Sequence, residues 1–374
     1  MNWKDFVEKN PPENITSKIE KIISNTLKAN INQSNVVISL SSGIDSTLIT
    51  AILRKEFPQL NIESISVTFA DSIDESPAAK KISEKFETNH HILYLDNFLH
   101  ELPKAISIVK QPFWDLHSYY LVKKAKSLSN LLLSGDGGDE LFGGYTFRYQ
   151  KFLSLVNHNS SVQNRVLAYL ACHERDWVPD QEKIFDKKMN FSWEEIHSFL
   201  KEHFVNDLHP ILQVFLADYN GKLIHNMLPL YNNIHNYFEI KNIAPLLSSE
   251  LIPIATHLPK ELKYNSQTNL GKLVLRKILQ QFDADKLVTQ QKQGFSVNTA
   301  NLWKHYGQKL CKYYLTDARI TKEGWINSKW ISKYLANNEL DVRIVNKFLG
   351  LLAFEIWYRL FISNEMKPDE LLDV

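Results

Sequence analysis

Val36-Val37-Ile38-Ser39-Leu40-Ser41-Ser42-Gly43-Ile44-Asp45-Ser46-Thr47 is the stretch whose reading decides the fold. Its first five residues have the length and apolar character of a buried strand. Ser41-Ser42-Gly43 breaks that strand, and a helical pattern follows from Asp45 to Phe57. A strand entering a helix through so short a turn leaves backbone N–H groups free at the helix N-terminus, where the helix dipole also favours anions. Ser41, Ser42, Ser46 and Thr47 add hydroxyls. The turn is therefore a candidate phosphate cradle, though not a Walker A loop, because the required lysine is missing. Asp45, an acid inside a phosphate loop, is a candidate Mg²⁺ ligand, since a cation would reconcile the two negative charges. An ordinary helix N-terminus with Asp45 in its first turn is the plain alternative.

The same alternation extends outward. Ile15, Ile19, Ile22, Ile23 and Leu27 have helical spacing, with Asn14 placed to cap the helix and Pro11-Pro12 before it. Ile62 to Phe69 reads as a second strand, Glu75 to Phe86 as a helix and His91 to Leu95 as a third strand. Ser118 to Leu128 reads as a helix and Leu131-Leu132-Leu133 as a fourth strand. Short apolar strands alternating with amphipathic helices predict an α/β fold with a parallel sheet covered on both faces, and ligands in such folds bind at the strand carboxyl ends. Beyond about Tyr149 the pattern is mostly helical. The expected division is an α/β core over 1–150 with a helical leader, and a helical region over 151–374 that completes the site.

The fourth strand runs into Ser134-Gly135-Asp136-Gly137-Gly138-Asp139-Glu140-Leu141-Phe142-Gly143-Gly144-Tyr145. Five glycines and three carboxylates in these twelve residues are too many for an incidental loop. Glycines let the backbone approach a ligand closely. Asp139 is placed to join Asp45 on Mg²⁺ bound to a pyrophosphate, and Asp136 to do acid/base or positioning work.

Lys plus Arg (43) nearly balances Asp plus Glu (42), which argues against a non-specific nucleic-acid binder. Cys172 and Cys311 lie in no C-x-x-C pattern and read as reduced thiols. The N-terminus lacks a signal-peptide core and no run of about 18 apolar residues occurs, so the expectation is a cytoplasmic protein without a membrane span. His173, Glu174 and Asp176 match no common metal-ligand spacing and read as a helix end and turn.

Together, the two glycine-bearing segments resemble the asparagine-synthetase family. Its synthetase domain carries S-G-G-[ILV]-D-S-[ST], the PP-loop, after the first strand and S-G-[DE]-G-x-D-E-x-F-x-G-Y after the fourth. Asp74-Glu75, Ala78, Ala79 and His90-His91 are similar to its second-helix region, and Pro112, Asp115 and Ser118 to the stretch before the fourth strand. Lys272-Leu273-Val274-Leu275-Arg276 resembles its K-x-x-L-R helix, Lys292-Gln293-Gly294-Phe295 its K-x-G-F element, and Phe354-Glu355-Ile356-Trp357 its last helix. The resemblance implies an adenine nucleotide α-hydrolase-like core that binds ATP and Mg²⁺. Leu40, Val67, Ser134 and Gly135 would line the nucleotide; Ser41, Ser42, Gly43, Asp45 and Ser46 would hold the pyrophosphate; Asp45 and Asp139 would bind Mg²⁺. Asp136 would assist amine attack and Lys292 would neutralise charge during adenylation. The implied enzyme is an AMP-forming ligase that adenylates a carboxylate and passes the acyl group to ammonia or an amine.

Three departures qualify this. Ser42 replaces the first glycine of the PP-loop pair, which matters if the loop needs a left-handed residue there. Position 2 is Asn2 rather than a nucleophilic cysteine, and the PP-loop begins too early for a glutaminase domain. Nitrogen would then come from free ammonia, a separate glutaminase or carrier partner, or an amine on the substrate, as in the related β-lactam synthetases. Ile243-Ala244-Pro245-Leu246-Leu247-Ser248 lacks the arginine and aspartate of the family's R-x-P-F-L-D element, and Phe113-Trp114 stand where a substrate arginine is sought. The expected substrate is a small carboxylic acid, not specifically aspartate. The alternatives are a PP-loop enzyme adenylating a tRNA base or natural-product precursor, and a non-catalytic synthetase-like subunit.

Overall fold

The computed structural model describes residues 1–70, 74, 76–289, 297–337 and 339–373. Five strands make one sheet: β1 (Asn35–Ser39), β2 (Asn61–Phe69), β3 (Asn89–Leu95), β4 (Leu131–Leu133) and β5 (Lys241–Ile243). All neighbours are parallel, in the order β3-β2-β1-β4-β5. Chain order reverses between β1 and β4, where Ile38 pairs with Leu133. At this switch point the connections leave in opposite directions, opening a crevice at the carboxyl ends of the two strands. Both glycine-bearing segments begin there.

Side-chain alternation along the central strands explains the two covered faces. Val36, Ile38, Leu131 and Leu133 pack on one side with the leader helix α1 (Ile15–Asn30), α2 (Ile44–Glu56), α3 (Ser76–Lys85) and the helix Leu273–Gln280. Val37, Ile65, Val67 and Leu132 pack on the other with α4 (Leu102–Val109), α5 (His117–Lys126) and the C-terminal helix Val342–Phe361. α2 is buried from Ile44 through Leu53, polar residues included, because it lies between the sheet and two other helices.

Every anticipated strand and helix of the first half forms, within a few residues of the expected limits. Glu75, expected to open α3, lies outside the described residues. Asn14 precedes α1 but makes no side-chain cap; Ile15 N instead donates to Pro12 O at 3.1 Å. α4 was not anticipated: its β-branched Ile106, Ile108 and Val109 disguise a helix opened by Pro103. The second half is largely helical as expected, yet it returns β5 to the sheet. Lys241-Asn242-Ile243 offers one apolar residue, too little to signal a strand; its pairing with β4 defines it.

Both cysteines are free thiols, Cys311 buried and Cys172 half-buried. Among the described residues no helix is long and apolar enough to cross a membrane. Phe113 and Trp114, partly buried, pack against the core, with Trp114 edge-on to Phe98.

Lys263 is fully buried; among the described residues its ammonium reaches only Thr256 O, at 3.5 Å, and it sits 5.3 Å from the Phe215 ring. Burial pushes its pKa down to about 7 from 10.5. As pH falls from about 10.5 to about 7, the unfolded chain gains a proton that the folded chain does not, so stability declines; below about 7 the loss is constant. Lys263→Met is expected to raise the Tm by several degrees near neutrality, with the gain shrinking toward zero near pH 10.5. Thermal denaturation across that range checks it; a pH-independent difference would refute the argument.

Candidate active site at the β1–β4 switch point

The break after β1 folds as a compact loop. Ser41 N donates to Ser46 Oγ at 3.1 Å, Gly43 N to Ser41 Oγ at 3.1 Å, and Thr47 Oγ1 to Gly43 O at 2.7 Å. Gly43, at φ −83°, caps α2, which places Asp45 in the first turn. Ser42 is not among the left-handed residues of the described chain. It is buried instead, its carbonyl accepting from Thr289 N at 3.0 Å. Serine therefore carries no left-handed penalty here, and the lost glycine leaves the loop intact.

Asp45 and Asp139 converge on one ammonium. Lys272 Nζ donates to Asp45 Oδ2, and it lies 2.8 Å from Asp139 Oδ1. All three side chains are largely buried. Burial alone would lower the Lys272 pKa, but Asp139 and Asp45 outweigh it and raise it. Lys272 holds this place at φ 57°, a left-handed conformation that disfavours a side chain by about 1–2 kcal/mol.

The second glycine segment is shaped around this cluster. A Cβ at Gly135 would come within 2.8 Å of Asp45 Cβ, and one at Gly138 within 2.3 Å of Asp45 Cγ. At Gly144 it would fall 1.8 Å from Asp139 Oδ1 and 2.5 Å from Lys272 Cε. Gly137, at φ 85°, needs glycine both for its backbone and for Leu247, whose Cδ2 would lie 2.2 Å from an added Cβ. These glycines therefore make room for carboxylates and neighbours of the protein itself.

A cavity of about 350 Å³ opens over the cluster. Ser41, Gly43, Asp45 and Ser46 line one part of it, with Ser134, Gly135, Asp136 and Asp139 beside them. Leu40 and Val67 are not on the wall: they are buried in opposite core layers, and Leu40 N continues the ladder to Ile65 O at 2.9 Å. Ser42 is likewise behind the wall. Lys292, together with Gln293, Gly294 and Phe295, lies outside the described residues.

Asp136 accepts from Ser134 Oγ at 2.7 Å. Burial raises its pKa above the ordinary carboxylate value, an effect only partly offset by the Ser134 hydrogen bond. The far wall contains residues the motifs did not single out for a role: His117, Tyr145, Lys222, Met227 and Tyr231. Tyr145 OH donates to Glu140, whose pKa burial and Asp139 raise to about 7. Behind this wall Arg148 is fixed by Asp218 at 3.0 Å and by His173 Nε2, while His173 Nδ1 donates to Tyr169 O at 2.9 Å. Glu174 pairs with Lys151 at 2.7 Å. His173 and Glu174 are thus structural, at the expected helix end, and no metal-binding group of three or more His, Cys, Asp or Glu occurs among the described residues. Lys272 had a visible signal, its place at the head of the K-x-x-L-R helix. Lys222 and Tyr231 stand in the stretch where the resemblance is weakest.

Gly138→Ala is expected to leave the fold intact by circular dichroism while displacing the Asp45 carboxylate from Lys272. A crystal structure of the variant that keeps the Asp45–Lys272 contact would contradict this.

Residues 19–359 match the sequence model of the Asparagine synthase family. Asparagine synthetase 1 (glutamine-hydrolyzing) of Bacillus subtilis is 22% identical over 415 residues, covering 99% of this chain and 64% of that protein. The putative asparagine synthetase of Mycobacterium tuberculosis is 22% identical over 95% of this chain and 59% of that protein. A putative asparagine synthetase 2 of Methanocaldococcus jannaschii reaches 36% identity, over 28% of this chain and 22% of that protein. The chain thus spans about three-fifths of the length of the first two relatives. Among solved structures, the U34-tRNA thiolase of Methanococcus maripaludis overlaps 60% of this chain and 78% of that one, at 14% identity and a TM-score of 0.26. With a family match running nearly from end to end and both of the family's glycine motifs converging on one cavity, the chain belongs to the asparagine synthase family.

Proposed function

We propose that this protein is an ATP-dependent ligase that adenylates a small carboxylic acid and transfers the acyl group to ammonia or an amine. The observation that carries the reading is the convergence of Asp45, Asp139 and Lys272 beside the Ser41–Ser46 loop, at the carboxyl ends of β1 and β4. In the first step a carboxylate oxygen attacks the α-phosphorus of ATP, and pyrophosphate leaves. In the second the amine attacks the acyl carbon, and AMP leaves. Little covalent chemistry falls to the protein; it positions the reactants and compensates charge.

The backbone N–H groups at the start of α2, with the hydroxyls of Ser41 and Ser46, would hold the pyrophosphate portion. Ser134 and Gly135 would face the nucleotide, with Leu40 and Val67 supporting that end from within the core. Asp45 and Asp139 suit Mg²⁺ as hard oxygen donors that already meet at one cationic point. When bound, Mg²⁺ would supply charge neutralisation to the pyrophosphate. Lys272 supplies the positive charge that keeps the two carboxylates together. Lys292 is proposed, on its sequence motif, to offset charge that builds on the α-phosphate. Asp136, buried and with a raised pKa, is suited to take the proton of the attacking amine.

ATP–pyrophosphate exchange across a panel of acids headed by aspartate tests the first step. Asp45→Ala and Lys292→Ala are expected to lower exchange by roughly 10²–10³-fold. Asp136→Asn is expected to spare exchange and slow amide formation by roughly 10²–10⁴-fold. Because Asp136 must be ionised to accept a proton and its pKa is raised, amide formation should fall as pH drops, starting above the ordinary carboxylate range. Asp136→Asn should remove that limb. Exchange with no acid, despite ATP binding, would sink the reading.

A further inference from the structure

A second cavity, of about 460 Å³, adjoins the first. Lys222 lines both, and Gly221 lines the second. The second cavity is largely apolar: Leu170, Ile196, Phe199 and Leu200 form much of its wall. Ile196, Phe199 and Leu200 belong to the helix Trp193–Lys201, none of whose residues is buried and whose Phe199 is 57% exposed. The helix packs Leu200 on the core and Trp193 on Trp177, but its apolar stripe is only partly covered and leaves the remainder, Phe199 above all, open to a ligand. The floor comes from Asp218–Met227, which winds as a π-helix, a rare form that recurs at functional sites.

Lys222 is the cation this wall leaves uncommitted. Lys272 is held by Asp45 and Asp139, and Arg148 by Asp218 and His173. Lys222 lies 3.7 Å from the Tyr145 ring centroid, and no carboxylate of the described residues comes within ion-pair distance of it. Burial and the Arg148 charge lower its pKa, an effect that the more distant Asp218, Glu140 and Asp139 offset only in part. An incoming anion would supply the remainder.

We propose that the acid activated here carries a second anionic group, paired with Lys222 at the junction of the cavities, and an apolar substituent that enters the second cavity beneath the helix Trp193–Lys201. The substrate class is therefore a dicarboxylic acid, or an acid with another anionic group, bearing an apolar chain. This deepens the ligase reading and rests on it for which carboxylate reacts. The volume suits such a group, since small-molecule sites run to about 300–1,000 Å³.

Calorimetric binding to the purified protein tests this without requiring turnover. The probes are N-hexanoyl-glutamate, with both features, and glutamate and hexanoate, with one each. N-hexanoyl-glutamate is expected to bind about tenfold or more tighter than either. Lys222→Met should weaken it by about ten- to a hundredfold, and Lys222→Arg should restore most of the loss. An added Cβ at Gly221 meets nothing within 4 Å, so Gly221→Leu has open space from which to enter the second cavity that Gly221 lines. It should reduce N-hexanoyl-glutamate to the affinity of glutamate and leave glutamate unchanged. Equal binding of the three probes, or unchanged binding in Gly221→Leu, overturns the proposal. Should Lys222→Met unfold, Lys222→Arg and Gly221→Leu still decide it. Binding retained while every acid fails in ATP–pyrophosphate exchange would overturn the adenylation reading and leave the pocket standing.

Discussion

Three buried charges, Asp45, Asp139 and Lys272, constrain this structure more than any other contact. They come from three separated segments: the first turn of α2, the short helix Gly138–Phe142 that follows β4, and the residue that caps the helix Leu273–Gln280. A carboxylate stripped of water and left unpaired is costly, and a buried pair is tolerable only when its geometry is good. The surrounding backbone is arranged accordingly. Gly135 and Gly138 have no side chains because Asp45 fills that space, and Gly144 because Asp139 and Lys272 do. Lys272 accepts a left-handed backbone in the same arrangement. Gly271, just before it, lies so near the Gly143 carbonyl that a Cβ would approach to 2.1 Å. One electrostatic requirement thus accounts for a backbone conformation and three glycines, and Gly271 answers to the Gly143 backbone beside them.

This also changes what the glycine-rich segment means. Read as sequence, its glycines suggest a backbone opened toward a ligand. In the fold, most of them make room for protein side chains, although Gly135 and Gly137 also line the cavity beside Ser41, Gly43, Ser46, Ser134 and Asp136. The motif specifies the cluster first and the cavity as a consequence. The Ser42 substitution fits the same view: its position turns inward onto Thr289 and is not left-handed, so the family's second small residue is dispensable there.

The sheet and its helices were legible because their signal is local. Val36 to Leu40 and Leu131 to Leu133 announce buried strands through unbroken apolar runs, and α1 through its spacing. β5 was not legible, because Lys241-Asn242-Ile243 becomes a strand only by pairing with β4. The site divides along the same line. The phosphate side is built from two contiguous segments, each following a strand, so residue type and spacing reveal it. Lys222 and Tyr231 have no such frame; they reach the cavity wall through helix packing, far in sequence from both segments. Leu40 and Val67, taken from the family pattern, lie one layer behind the wall.

That asymmetry bears on chemistry. In the proposed reaction the phosphate side would handle ATP, which is common to whatever acid is used, and the charges of Asp45, Asp139 and Lys272 are mutually satisfied at short range. The acyl side instead rests on a π-helical segment, a helix with no buried residues, and a lysine without an ion partner among the described residues. Such elements can change without disturbing the Asp45–Lys272–Asp139 contact. In the proposed reading, a pocket with an apolar shelf and Lys222 would select by apolar area and a single charge pair, not by a ring of hydrogen bonds. Since a methylene is worth only about 1–3 kcal/mol in discrimination, such a site favours acids sharing a shape and one anionic group over a single exact structure.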